Sequence, residues 1–289
     1  MIVHTISYTG IDAPGGVPRF NRYLHRILKD AGYETRHWCW DDIYSLVNNP
    51  ANSPYEDERA KYLSRALAAS NRLSRDDVII GDGFWCGDLS LLGFRRVISV
   101  AHGIWGHVTK SDLIAGKQPE NPHLHLAQKI HRVSHSDRGL PIVSVSRFIS
   151  DEIERQIAVS SRVINNSIDI SEIPPYEGID YGYNNFYVIH GINDVGNVNK
   201  GWDHIEECKR KCPWASFYSL DEFHQKLGFS DKMQTMQHAD CVLIPSGYEG
   251  NSYFMLEALA CDVPVVCYDV GLAYEMRHSG FDIGMIGDR

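Results

Sequence analysis

Two glutamates, Glu249 and Glu257, stand eight positions apart in the stretch IPSGYEGNSYFMLEALACDVPVVCYDVG, Ile244 to Gly271, between two strand-like apolar runs. At helical pitch that spacing is about two turns, so both carboxylates can line one wall of a cleft. A helix beginning near Asn251 puts Glu249 in the turn after a strand, at the carboxyl edge where open α/β sheets bind ligands and beside a positive helix N-terminus. The backbone amides of Gly250, Asn251 and Ser252 suit an anion such as a diphosphate. A carboxylate at either end of an apolar helix then points to a polyhydroxy ligand. The plainer alternative makes Glu249 a cap and Glu257 a solvated side chain, and for an isolated pair of glutamates it is preferred.

The elements that must position these groups follow from hydrophobic periodicity. The N-terminal stretch reads strand (IVHTISY), glycine-rich turn (TGIDAPGGVP), helix (RFNRYLHRILKDAG) and strand (YETRHWCW). Phe20, Tyr23, Leu24, Ile27 and Leu28 recur at helical spacing, Pro18 suits the first turn, and Gly32 supplies a stop. Further strands are expected at 77–82, 96–103, 142–146 and 162–169, with helical patterns at 57–73 and 147–157. The segment SEIPPYEGIDYGYNN interrupts this rhythm, and a linker is placed at 171–185 between domains at 1–170 and 186–289. Alternation then resumes: FYVIHG, a helix through WDHIEECKRK, ASFYSL, a helix around SDKMQTMQHA, DCVLIPS, the helix SYFMLEALACD, PVVCYDVG and a last IGMIG. The expected fold class is α/β, two Rossmann-like domains with parallel sheets facing across a cleft.

Composition bounds the partners. The 289 residues are 43% hydrophobic and 22% charged, the balance of a soluble globular protein, with no apolar run long enough to cross a membrane and no leader-like start. A cytoplasmic location is expected, that of the host if the protein is viral. Seven cysteines without a CxxC pair read as reduced, mostly buried thiols, and no zinc-finger spacing of Cys and His points to a metal. The net charge of −9 is unevenly spread: residues 1–165 carry 20 Lys and Arg against 18 Asp and Glu, and residues 166–289 carry 8 against 19. The more basic N-terminal half could favour an anionic acceptor.

The C-terminal stretch resembles the donor-binding core of retaining GT-B glycosyltransferases of the large family 4-like group. The residues that carry the resemblance are Pro245, Ser246, Glu249, Gly250, Leu256, Glu257, Ala258, Ala260, Cys261, Pro264, Val265, Val266, Gly271 and Glu275. GGVPRF at 15–20 resembles the family's N-domain glycine loop, SVAHGIW its strand-end histidine, VSVSRFISDEI and VINNSIDI the stretch closing its first domain, and NKGWDHI its KG segment. The resemblance implies that Glu257 binds ribose hydroxyls, Glu249 the hydroxyls of the donor sugar, and Lys200 the diphosphate leaving group. It implies that His102 contacts the transferred sugar and that Gly15 and Gly16 let the diphosphate approach. It further implies transfer with retention from a nucleotide-diphosphate sugar, expected to be a UDP-sugar, without a bound metal, a cofactor or an obligatory general base. The acceptor is expected to be a glycan or polyol, with DNA bearing a hydroxymethylated base, or another anionic acceptor, as an alternative.

Some features depart from the family pattern. The segment VIHGINDVGNVNKG lacks the arginine that usually partners the KG lysine, Ser252 stands where glycine is common, and Arg289 follows soon after the last expected strand, where relatives continue through further helix. A compact enzyme is one reading, and a degenerate scaffold that holds a nucleotide-sugar without turnover is the other. His123, His125, His131 and His135 do not form a clean metal face, Arg59, Arg65, Arg72 and Arg75 read as a solvated face, and Trp38, Trp40, Trp85 and Trp105 as core or a stacking platform. GxGxxG is absent, which leaves a nicotinamide dehydrogenase little support.

Overall fold

The computed structural model describes residues 1–13, 15–48, 56–103, 141–176, 178, 186–191, 200–220, 228–281 and 284–285. The chain divides into two units, Met1–Asn165 and Asn166–Arg289. The histidines at 123–135, Trp105 and residues 192–199 of the segment that lacks the family arginine lie outside the described residues.

In the first unit, strands β1 (Ile2–Ile6), β2 (Glu34–Trp38), β3 (Val78–Asp82), β4 (Val97–Ala101), β5 (Ile142–Ser144) and β6 (Arg162–Val163) form one sheet in the order β2-β1-β3-β4-β5-β6, with every pair parallel. Helices α1 (Gly16–Asp30), α2 (Ile43–Leu46), α3 (Glu56–Ala69), α4 (Gly87–Leu91) and α5 (Arg147–Ile157) connect them. Leu63 and Leu67 of α3 pack with Ile6, Ile79, Trp85 and Leu89 in its core.

The apolar stripe expected on α1 is only half-buried at Phe20, Tyr23, Leu24 and Leu28, and the fully buried positions lie beside it. Ile27 is 57% exposed, whereas Pro18, Asn21 and His25 are buried. His25 is drawn in because β1 carries a polar residue at a fully buried position: Thr5 Oγ1 lies 2.7 Å from His25 Nε2. A buried hydroxyl requires a hydrogen-bonding partner, and the helix supplies one.

In the second unit, strands β7 (Phe186–His190), β8 (Ala215–Ser219), β9 (Cys241–Ile244), β10 (Val265–Cys267) and β11 (Gly284–Met285) pair, again all parallel, in the order β11-β10-β9-β7-β8. Helices α6 (Trp202–Lys211), α7 (Phe229–Gln237), α8 (Tyr253–Ala260) and α9 (Leu272–His278) accompany them. Met233 and Met236 of α7, Met255 and Ala258 of α8, and Val242, Ile244 and Val265 of the sheet share one core. All seven cysteines are free thiols.

Both sheets have the doubly wound order in which successive connections leave in opposite directions from the first and third strands of the unit. That reversal opens a crevice at the carboxyl ends of β1 and β3 in one unit and of β7 and β9 in the other, where such sheets hold ligands.

Candidate functional site

In the second unit, β7 ends at His190 and β9 at Ile244, so the residues that follow them border the crevice. Lys200 lies beyond the end of β7, just before α6, and Glu249 lies in the turn between β9 and α8. Lys200 Nζ donates to Glu249 Oε1 at 2.6 Å, joining the two connections across the strand reversal.

Two glycines fix that meeting. Gly201 has φ +72°, and a Cβ there would stand 2.1 Å from the Pro245 carbonyl oxygen, so the backbone beside Lys200 rests directly on the backbone after β9. Gly271, at φ +56°, faces the carbonyl oxygens of Gly250 and Glu249, which a Cβ would meet at 2.6 and 2.8 Å. Only glycine combines that backbone conformation with that approach. The Glu249 turn is thereby held between the start of α6 and the start of α9.

Helix α8 begins at Tyr253, two residues later than expected from the sequence, because Ser252 has extended backbone geometry and its Oγ accepts from the Met255 amide at 3.4 Å. Gly250 and Asn251 therefore precede the helix, and the buried Asn251 has its carbonyl oxygen held by Asn166 Nδ2 at 3.0 Å.

Glu257 is not the solvated side chain of the plainer alternative. It is fully buried, and its Oε2 lies 2.5 Å from Lys232 Nζ of α7. The Lys232 ammonium also stands 5.7 Å from the centre of the Phe254 ring, and that ring packs on Gly191, the residue after β7. Lys232 escaped the sequence reading because no motif contains it. A signal was present: it lies four residues before Met236, on the helical face that Met236 buries. His190, closing β7, is 1% exposed and is pushed down to about 4 by burial and by Lys209, so its ring is neutral.

The remaining sequence-derived residues belong to the first unit. His102 directly follows β4, is half-buried, and has its ring edge-to-face with Phe20 at 4.6 Å. Burial lowers it to about 4, which leaves a neutral imidazole able to exchange hydrogen bonds with hydroxyl groups. Gly15 N-caps α1 and Gly16 opens it; both are exposed at the carboxyl end of β1.

The loop leading to Gly15 is tied down by the half-buried His37. The Thr9 carbonyl only accepts, so His37 donates to it from Nε2 at 3.0 Å. His37 Nδ1 then accepts from the Thr5 hydroxyl at 2.8 Å, and Thr5 accepts from His25. Arg22 Nη1 donates to the Ile11 carbonyl at 2.7 Å further along the same loop. The arginines read as a solvated face are more engaged than that: Arg59 Nη1 donates to Tyr8 Oη at 3.0 Å and Arg65 pairs with Asp88 at 3.0 Å. Trp85 is core, at 1% exposed.

Two units, each built on a parallel doubly wound sheet, are the parts of a GT-B fold. Its likeness to solved structures extends over the whole chain. Sucrose-phosphate synthase from Thermosynechococcus elongatus superposes with a TM-score of 0.74 at 13% identity, over 99% of this chain and 86% of that one. WaaG, a glycosyltransferase involved in lipopolysaccharide biosynthesis, gives 0.68 at 14% identity, over 99% and 86%. Anabaena HepE in complex with UDP-glucose gives 0.60 at 17% identity, over 99% and 85%. No curated protein sequence matches the chain significantly. Residues 182–287 match the family model described as glycosyl transferases group 1. That match covers most of the second unit, and the likeness to the solved structures extends the GT-B fold to the first.

Proposed function

We propose that this chain transfers a sugar from a UDP-sugar to a hydroxyl of a glycan or polyol, with Lys200 and Glu249 at the reacting end of the donor. The observation that carries the reading is the 2.6 Å pair between them at the strand reversal of the group 1 domain. Lys200 offsets the negative charge that grows on the departing diphosphate, the kind of electrostatic stabilisation that dominates many transfers. Glu249 accepts hydrogen bonds from the donor sugar hydroxyls and, through Oε1, holds the lysine in place.

The amides at Gly250, Asn251 and Ser252 serve the donor diphosphate, and the Glu257 end of α8 serves the ribose. In the first unit His102 contributes a neutral imidazole to the sugar, and the Gly15–Gly16 turn leaves room for phosphate. The bond between the anomeric carbon and the phosphate oxygen breaks while the acceptor oxygen bonds to the same face of that carbon. The acceptor proton passes to the departing phosphate oxygen, so no side chain has to act as a base. Uridine as the nucleoside follows the likeness to a fold solved with UDP-glucose.

The test is incubation with UDP-glucose and a panel of sugar and polyol acceptors, with the anomeric configuration of the product read by NMR. An α-linked product from the α-linked donor supports the reading. Binding of UDP-glucose with neither transfer nor slow hydrolysis would make the chain a non-catalytic binder.

A further inference from the structure

Thr5 of β1 is fully buried, and its one hydroxyl is shared by two histidines from different elements. His25 Nε2 of α1 lies 2.7 Å from Thr5 Oγ1, and His37 Nδ1 of β2 lies 2.8 Å from it. Burial lowers both rings, His25 to about 4, so at neutral pH each carries a single proton. The Thr9 carbonyl, 3.0 Å from His37 Nε2, only accepts, which puts the His37 proton on Nε2 and leaves Nδ1 an acceptor. The Thr5 proton therefore goes to His37, and the Thr5 oxygen takes the proton of His25. The groups form one chain with one direction, from His25 through Thr5 and His37 to Thr9. Run the other way, it would set an unprotonated His37 Nε2 against the Thr9 carbonyl.

This chain reaches both sides of the Gly15–Gly16 turn. Thr9 lies on the loop that enters the turn, and His25 lies on the helix that leaves it. Ser7 Oγ donates to the same Thr9 carbonyl at 2.8 Å, and Arg22 of α1 donates to the Ile11 carbonyl at 2.7 Å and the Ala13 carbonyl at 3.3 Å. We infer that Thr5 is a positioning residue for the Gly15–Gly16 turn: its hydroxyl holds the incoming loop through His37 and the outgoing helix through His25, and so keeps the room that the donor diphosphate needs. The inference rests on the donor reading of that turn and adds the buried group that sets its shape. Valine would fill the same space and leave His37 Nδ1 and His25 Nε2 without their partner, so the requirement is for the hydroxyl rather than for packing.

The experiment compares the full chain as wild type, Thr5→Val, Thr5→Ser, His37→Phe and His37→Gln. Hydrogen exchange of the backbone amides at 8–13 is followed by mass spectrometry without ligand, and steady-state kinetics are measured with UDP-glucose as the varied donor. Thr5→Val and His37→Phe are expected to speed exchange in that segment and to raise KM for UDP-glucose by about tenfold, the size of one lost hydrogen bond. The kcat should stay within about twofold, since the turn holds the diphosphate in ground state and transition state alike. Thr5→Ser, which keeps the hydroxyl, and His37→Gln, which keeps a donor near the Nε2 position, should return both readouts close to wild type. If Thr5→Val does not fold, His37→Phe carries the same comparison at a half-buried position.

Thr5→Val with the KM and loop exchange of wild type would overturn the inference. Faster exchange spread over the whole first unit with KM unchanged would overturn it as well, leaving Thr5 a purely structural residue. Wild type that neither binds nor turns over UDP-glucose would overturn the donor reading and the inference with it, whereas a failure of the inference alone leaves wild-type turnover in place.

Discussion

Lys200 Nζ and Glu249 Oε1 stand 2.6 Å apart, one on the connection after β7 and the other on the connection after β9. These are the two chain segments that diverge where the strand order of the second unit reverses. The contact lies at the crevice in which a doubly wound sheet receives its ligand, and it brings one positive and one negative group to it.

That pair predicts a separation of activity from stability. With 40% and 18% of their side chains exposed, Lys200 and Glu249 stabilise the fold by about 1 kcal/mol or less through their ion pair. Lys200→Ala and Glu249→Ala should each lower kcat/KM for transfer by roughly 100- to 1000-fold, the usual cost of removing a preorganised electrostatic group. Urea midpoints close to wild type in both variants, measured beside the kinetics, would establish the separation.

Gly201→Ala should do the opposite and disturb both properties. Its Cβ would lie 2.1 Å from the Pro245 carbonyl, in a backbone conformation at φ +72° that already disfavours alanine. A loss of more than about 2 kcal/mol in chemical denaturation is expected, from left-handed strain together with forced separation of the two loops. Activity should fall with it, because Lys200 is carried on the displaced segment.

Ser252 is a helix cap, and the size of its effect depends on the replacement. Its Oγ accepts from the Met255 amide at 3.4 Å. Ser252→Ala should cost about 1 kcal/mol and Ser252→Gly only a few tenths, since glycine leaves the amide open to water. Equal losses in the two variants by urea denaturation would show that the hydroxyl has another role.

Acid should weaken the first unit through His25. Burial, with smaller contributions from His37 and Lys29, lowers His25 from 6.5 to about 4, and burial lowers His4 and His37 as well. The folded state keeps the ring neutral while the unfolded chain takes up a proton below pH 6.5, so stability is complete above 6.5, falls as pH drops, and levels below about 4. The full loss at this one site is on the order of 3 kcal/mol. Stability curves at pH 7 and pH 5, run on wild type and on His25→Gln, check it: the variant should show the smaller difference.

Much of this was legible in the sequence because parallel strands and their helices leave strong local patterns. The helix expected through WDHIEECKRK is observed at Trp202–Lys211, and the strand within FYVIHG at Phe186–His190. The pairing of Lys200 with Glu249 joins residues 49 positions apart, and motif resemblance proposed both without placing them in contact. Helix α9 was missed because seven residues between Gly271 and Gly280 carry too little periodicity to mark a helix, and short helices owe their stability to packing. The burial of His25 was equally hidden. An apolar stripe beside it argued for another face, and only the position of Thr5 on β1 shows why a histidine turns inward.

The most direct test of the account is nucleotide release from a panel of uridine, guanosine and adenosine diphosphate sugars, followed for wild type and Glu249→Ala. The account predicts release from the uridine donor by wild type, with acceptor-stimulated turnover, and its near-complete loss in Glu249→Ala. Release undiminished in the variant would remove Glu249 from the reacting end of the donor, and no release or transfer by wild type with any donor would contradict the proposed transferase activity.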